Sequence, residues 1–260
     1  MDAKAVATLR ERVVNGYNAY TMGLIGVVLT TAARLPLGSH DDEFWGGVSS
    51  LTRLSRGLIR QEIELATYAV KVAAIADVTS DSGVTATSVF ESIIEGDIGE
   101  MMINNMRFAT NDILAQMERD ARTLKQMYDQ IAYQSKLRFV NGASAASAGK
   151  AANVEVGFMF MDRAGRRWKS DRYVRTRVNI HLVQTYNETY LYGMKVAGLD
   201  EAELRYADPE HERNGYRFSI SGSGEWPSYV DVRDNILKPN SLALVKKSSM
   251  TYNRGDTDGV

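Results

Sequence analysis

MINNMRFATNDILAQMERDARTLKQMYDQI, residues 102–131, is the stretch whose reading decides the fold. Met102, Met106, Ala109, Ile113, Met117, Ala121, Leu124, Tyr128 and Ile131 fall at steps of three or four, the period of one helical face. Asp112, Glu118, Arg119, Arg122, Lys125 and Asp129 mostly occupy other faces, and no proline interrupts the run. The spacing predicts a helix from about Asp97 to Leu137, roughly 60 Å long at about 1.5 Å per residue. So long a helix with one apolar stripe must pack on other long helices, from the same chain or from neighbours. Met102, Met106, Ile113, Met117, Leu124, Tyr128 and Ile131 are its expected packing residues.

Towards the N-terminus the helical period continues. Val6, Leu9, Val13, Tyr17 and Tyr20 recur at three- and four-residue steps, and Leu35-Pro36-Leu37-Gly38-Ser39 should stop that helix. Asp41 or Asp42 can cap a second helix, expected from about Glu43 to Val78. Its stripe includes Leu51, Leu54, Leu58, Ile63, Leu65, Tyr68, Val72 and Ile75; Gly46-Gly47 and Gly57 weaken it, so two helices are an alternative. Thr79-Ser80-Asp81-Ser82-Gly83 reads as a turn. Val13 to Ala33 carries no formal charge and approaches the ~20 apolar residues of a membrane span. Asn15, Asn18, Thr21, Thr30, Thr31 and three glycines favour a buried or interface helix there, with conditional membrane insertion of residues 13–33 as the competing reading.

After residue 140 the composition changes. Asn141 to Ala152 lacks large side chains and reads as a linker. Val154, Val156, Phe158 and Phe160 alternate like a strand, with Asp162-Arg163-Ala164-Gly165 as a hairpin turn. Val174, Thr176, Val178, Ile180 and Leu182 alternate with Arg175, Arg177, Asn179 and His181, which predicts a half-buried strand that Tyr186–Val196 could pair with. Leu204 and Tyr206, then Tyr216, Phe218 and Ile220, suggest further strands around the turns at Asp208-Pro209 and Asn214-Gly215. Val230–Leu237 is expected to be a short helix stopped by Pro239. The expected fold class is α+β: a long-helix region at 1–140, a linker at 141–152, a mainly antiparallel β domain (sandwich or small barrel) at 153–225, and a short helix with a polar tail at 226–260.

Composition narrows the functions. The 260 residues include no cysteine, which excludes a disulfide scaffold, a thiolate metal site and a cysteine nucleophile. Net charge is −1, so no global field draws the chain to nucleic acid or anionic lipid; any such binding needs a local patch. The mixed charge of Met1–Lys4 and Arg10–Arg12 is unlike a secretory leader, so secretion by a signal peptide is not expected. No phosphate-binding glycine loop occurs. His40, His181 and His211 lack metal-ligand spacing, and Glu210-His211-Glu212 reads as a solvated turn. Ser147-Ala148-Gly149-Lys150 lacks the companion motifs of a serine–lysine catalyst. No cofactor, metal ligand or catalytic residue is expected.

One cluster stands above background. Arg163, Arg166, Arg167, Lys169, Arg172, Arg175 and Arg177 face Asp171 alone, with Trp168 and Tyr173 interleaved. On a hairpin these side chains could grip an acidic neighbour, contact a phosphate backbone, or form a solvated face. A long helical part, a small-residue linker and a compact β part without an active site are together similar to the organisation of virion proteins of tailed bacteriophages. The resemblance implies a structural assembly subunit of a large homo-oligomer in a phage head, neck or tail, located in the virion or the cytoplasm and partnered by itself and by other subunits. A membrane-active ejection or pore-forming protein and an unrecognised enzyme are the alternatives.

Overall fold

The computed structural model describes residues 1–32, 40–95, 97–142, 158–161, 164–222, 225–237 and 241–248. Four helices come first: α1 (Ala3–Ala32), α2 (Asp41–Ser82), α3 (Ala86–Glu95) and α4 (Asp97–Val140). The stretch read first, residues 102–131, lies inside α4, which starts at Asp97 as its periodicity indicates and runs for 44 residues. The second helix is not split by its glycines: α2 is continuous over 42 residues. Gly47 has a packing role there, since a Cβ on it would stand 3.0 Å from Val27 Cγ1 of α1. Asp41, Asp42 and Glu43 occupy the first turn of α2, where negative charge meets the helix dipole, with His40 preceding them. Thr79–Ser82 form the last turn of α2 and not a free loop; the chain leaves at Gly83, whose φ of 76° suits glycine. The stop at 35–39 and the linker at 141–152, beyond Gly142, lie outside the described residues.

The C-terminal half departs from its sequence reading. β1 (Met159–Met161) and β2 (Arg167–Lys169) form the expected antiparallel hairpin, with Phe160 opposite Trp168. The strand expected at Val174–Leu182 and its partner at Tyr186–Val196 are instead one helix, α5 (Ser170–Val196). The cause is a coincidence of periods. Val174, Val178, Leu182, Tyr186, Tyr190 and Met194 are buried and recur every fourth residue, a step that fits strand alternation as well as a helical face. The intervening Asn179, His181, Thr185, Asn187 and Thr189 are buried too, so no wet face betrays the helix.

Beyond α5 come β3 (Glu201–Arg205), β4 (Arg217–Ser219), α6 (Tyr229–Asn235) and β5 (Leu244–Lys247). The sheet order is β4-β3-β5, antiparallel throughout, with Ala202 opposite Phe218 and Leu204 opposite Val245. β5 lies in the stretch read as helix and tail. The described strands thus make a two-stranded ribbon and a three-stranded sheet, not the expected sandwich or barrel; the class is broadly α+β with helix dominant. Ser228 caps α6 through a reciprocal capping box with Asp231.

The chain divides into two units. The first comprises Met1–Arg10, Glu64–Arg107 and Asn179–Val260. Its core joins Val70, Ala74 and Val78 of α2 to Leu182, Tyr186 and Met194 of α5 and to Ala202, Leu204, Phe218 and Val245 of the sheet. The second comprises Glu11–Ile63 and Phe108–Val178. There Tyr17, Tyr20 and Leu24 of α1, Phe44 and Ile59 of α2, and Ile113, Met117, Leu124, Tyr128 and Ile131 of α4 are all buried. Phe44 stacks on Tyr128 with ring centroids 4.0 Å apart. Of the other two expected packing residues, Met106 is half-buried in the first unit, and the side chain of Met102 lies outside the described set.

Candidate assembly surface

In the second unit a carboxylate sits inside the helical core. Asp120 is 1% exposed. It completes the three-four step of α4 between Met117 and Leu124, the position at which a sequence reading could have found it. Tyr17 Oη of α1 donates to one carboxylate oxygen. Gln116 Nε2 donates to the other at 2.8 Å, and Ser170 Oγ, at the start of α5, donates at 3.0 Å. Burial raises the Asp120 pKa above its usual range, more than these donors lower it. Burial and the facing carboxylate also hold Tyr17 fully protonated. The three donors tie α1, α4 and α5 to one buried acceptor, and such a satisfied network specifies how helices meet.

The first unit has a parallel device. Asp77 of α2 accepts from Tyr186 Oη of α5 at 2.5 Å and from Lys246 Nζ of β5 at 2.6 Å. Burial would raise its pKa, but the hydrogen bonds from Lys246, the chain's amino group and Tyr186 bring it below its ordinary value. One turn later Tyr190 Oη donates to Asp81 at 2.5 Å and accepts the Lys247 amide at 2.9 Å. These links fasten the edge strand β5 onto the helices.

The basic cluster is divided between two elements. Arg166 precedes β2, Arg167, Trp168 and Lys169 form it, and Arg172, Arg175 and Arg177 lie on α5; Arg163 lies outside the described residues. Arg175 pairs with Glu11 and Arg177 with Asp112. The guanidiniums of Arg166 and Arg172 lie 5.8 and 5.4 Å from the Trp168 ring centroid. Arg167 and Lys169 are exposed.

The sequence stripe on α2 mixes two kinds of position. Ile63 and Ile75 are buried, whereas Leu65, Tyr68 and Val72 of the first unit are 49, 67 and 46% exposed. Val72, with Phe90 of α3, also exposed, lines an apolar groove of about 510 Å³ whose other lining residues are Ile75, Ala76, Ala86, Thr87 and Glu91. In the second unit Leu54 and Leu58 of the same helix are exposed. Exposed large apolar groups thus recur along one face of α2.

The histidines are bound into local structure. His181 is buried with Nε2 2.8 Å from Thr67 Oγ1, His211 stacks on Tyr206, and His40 sits beside Glu43. Among the described residues no group of three or more histidine, cysteine or acidic side chains could hold a metal ion. No described helix is long and apolar enough to cross a membrane. The uncharged stretch beginning at Val13 turns Val13, Val14, Tyr17, Tyr20, Leu24 and Val28 into the second unit's core.

Long helices tied through internal carboxylates, with exposed apolar residues along one face of α2, are the architecture of the described residues. A family model described as phage minor capsid protein 2 matches residues 35–205. The chain belongs to that family and is a structural component of a phage virion. No curated protein and no solved structure matches it.

Proposed function

We propose that this chain is a homo-oligomeric assembly subunit of the phage head, joined to further copies of itself through the exposed face of α2. The observation that carries the reading is the triplet Leu65, Tyr68 and Val72, exposed at steps of three and four. These are successive core positions of a heptad, and a heptad seam is filled by a helix of the same spacing, which a second copy supplies. Charge favours an antiparallel pair. Glu64 and Lys71 flank the seam seven residues apart and form no ion pair among the described residues, so antiparallel copies bring unlike charges together. The basic residues Arg166, Arg167, Trp168, Lys169, Arg172, Arg175 and Arg177, with Arg163, are the proposed contact to a different virion subunit, since arginine and tryptophan are frequent interface anchors.

The natural absence of cysteine makes the test clean. A Tyr68→Cys variant, oxidised at low concentration, should give a covalent dimer. An Arg138→Cys variant at the far end of α4 should not. Equal cross-linking at both positions, or none at residue 68, would remove the proposed seam.

A further inference from the structure

The second unit holds a cleft that the family assignment leaves unexplained. It has a volume of about 570 Å³ and lies between α2 and α4, lined by Trp45, Ser49, Thr52, Arg53, Arg56 and Arg60, with Gly57 and Ala121 in its wall. Arg53, Arg56 and Arg60 follow at steps of three and four, so they share one face of α2 and span roughly 10 Å along it. Arg56 pairs with Glu118 at 2.6 Å. Arg53 and Arg60 are exposed and have no acidic partner among the described residues. A Cβ on Gly57 would meet nothing within 4 Å, so the helix backbone is open to a ligand between the guanidiniums. At one end stands the Trp45 ring, with Lys125 Nζ 5.2 Å from its centroid.

We propose that this cleft binds the phosphodiester backbone of nucleic acid. A strand carries one charge about every 3.4 Å along its axis, so Arg53 and Arg60, ~10 Å apart, can meet phosphates about three nucleotides apart, while Arg56 between them is held by Glu118. The cleft is an open trough with cations in a row and far exceeds what one inorganic anion fills. The Ser49 and Thr52 hydroxyls add neutral donors, and the Trp45 indole adds an aromatic surface beside which a base can stack. That combination favours nucleic acid over an acidic polypeptide, which has carboxylates but no bases. The net charge of −1 gives no general attraction to polyanions, so binding must come from a local patch of this kind. The basic hairpin segment is the weaker candidate, because Arg175 and Arg177 pair with Glu11 and Asp112 and the Arg166 and Arg172 guanidiniums already lie beside the Trp168 ring. The proposal does not depend on self-assembly through α2.

The test is fluorescence anisotropy of a labelled oligonucleotide, single-stranded and duplex, titrated with the full chain over a salt series. An R53A/R60A variant should bind about tenfold more weakly at low salt, and its slope of log affinity against log salt should shrink by about two, one per lost phosphate contact. An R53K/R60K variant should recover the slope, and an R166A/R167A variant should behave as the unaltered chain. Both cleft arginines are exposed, so circular dichroism should be unchanged. Wild-type affinity and slope in R53A/R60A, or no binding by the unaltered chain, would overturn the proposal. So would polyglutamate competing as well as unlabelled oligonucleotide, which would make this a site for acidic protein. Displacement by inorganic phosphate at equal phosphate concentration would reduce it to an ion site.

Discussion

Gly193 of α5 offers the sharpest test of the helix packing in the first unit. A Cβ placed on it would lie 2.5 Å from Val78 Cγ1, 3.0 Å from Val78 Cγ2 and 3.2 Å from Val78 Cβ of α2. Real Cβ atoms do not approach so closely. Val78 is fully buried, and a β-branched side chain in a helix has essentially one χ1 well, so its methyls cannot swing aside. The helices must therefore move apart in Gly193→Ala. Overpacking of this kind costs about 1–3 kcal/mol, and the short approach places this site at the upper end. The better helix propensity of alanine returns about 1 kcal/mol. The expected net loss is about 2 kcal/mol, or about 4–8 °C in Tm at ~2–4 °C per kcal/mol for units of this size. Thermal unfolding followed by circular dichroism reads it directly. In V78A/G193A the added methyl enters space vacated by valine, so the double variant should be more stable than V78A alone, a coupling of about 1–3 kcal/mol. A Gly193→Ala protein as stable as the original, or additive costs in the double variant, would refute the close α2–α5 approach.

Three further outcomes are expected. Asp120→Ala leaves the hydroxyls of Tyr17 and Ser170 and the Gln116 amide without their acceptor and should cost about 2–4 kcal/mol in denaturant unfolding. Asp120→Asn keeps a carbonyl and should cost less than half as much; equal costs would show that the network does not hold the second unit. Asp77 is depressed below its ordinary value of 3.8 in the folded chain, so the unfolded chain binds more protons below that pH. Its contribution is then present above about pH 4 and lost as pH falls through the lower folded value, so Asp77→Asn should flatten the acid limb of Tm against pH; parallel curves would contradict this. Leu58→Lys, on the exposed face of α2 in the second unit, should leave Tm within about 2 °C, because surface changes stay within ~0.5 kcal/mol; a large drop would mean that the side chain is internal.

The long helix α4 was legible because its apolar residues keep a three-four step against charged faces. The hairpin at Ala164-Gly165 was legible from its turn residues. α5 was not, because a step of four satisfies both strand and helix and its polar residues are also buried. β5 escaped because Leu244-Val245-Lys246-Lys247 is too short for any period to show; its place is fixed by Asp77 and Tyr190 from distant parts of the chain. The α2 stripe was visible as apolar, but sequence cannot separate Ile63, which faces the core, from Leu65, which faces outward. The basic cluster was visible as charge, whereas the acids that pair Arg175 and Arg177 lie far away in the sequence. Conversely, Arg53, Arg56 and Arg60 passed unnoticed in a helix of mixed charge, since only the fold sets them along one cleft.

The measurement that bears most directly on assembly is solution mass, by light scattering coupled to size exclusion, for the unaltered chain and for an L65K/Y68K variant over a range of concentrations. Both residues are exposed, so the variant should fold with unchanged helicity. A discrete oligomer that falls to the monomer mass in the variant is the result expected of copies joined through α2. A monomer at every concentration, or an oligomer indifferent to the two lysines, would contradict it.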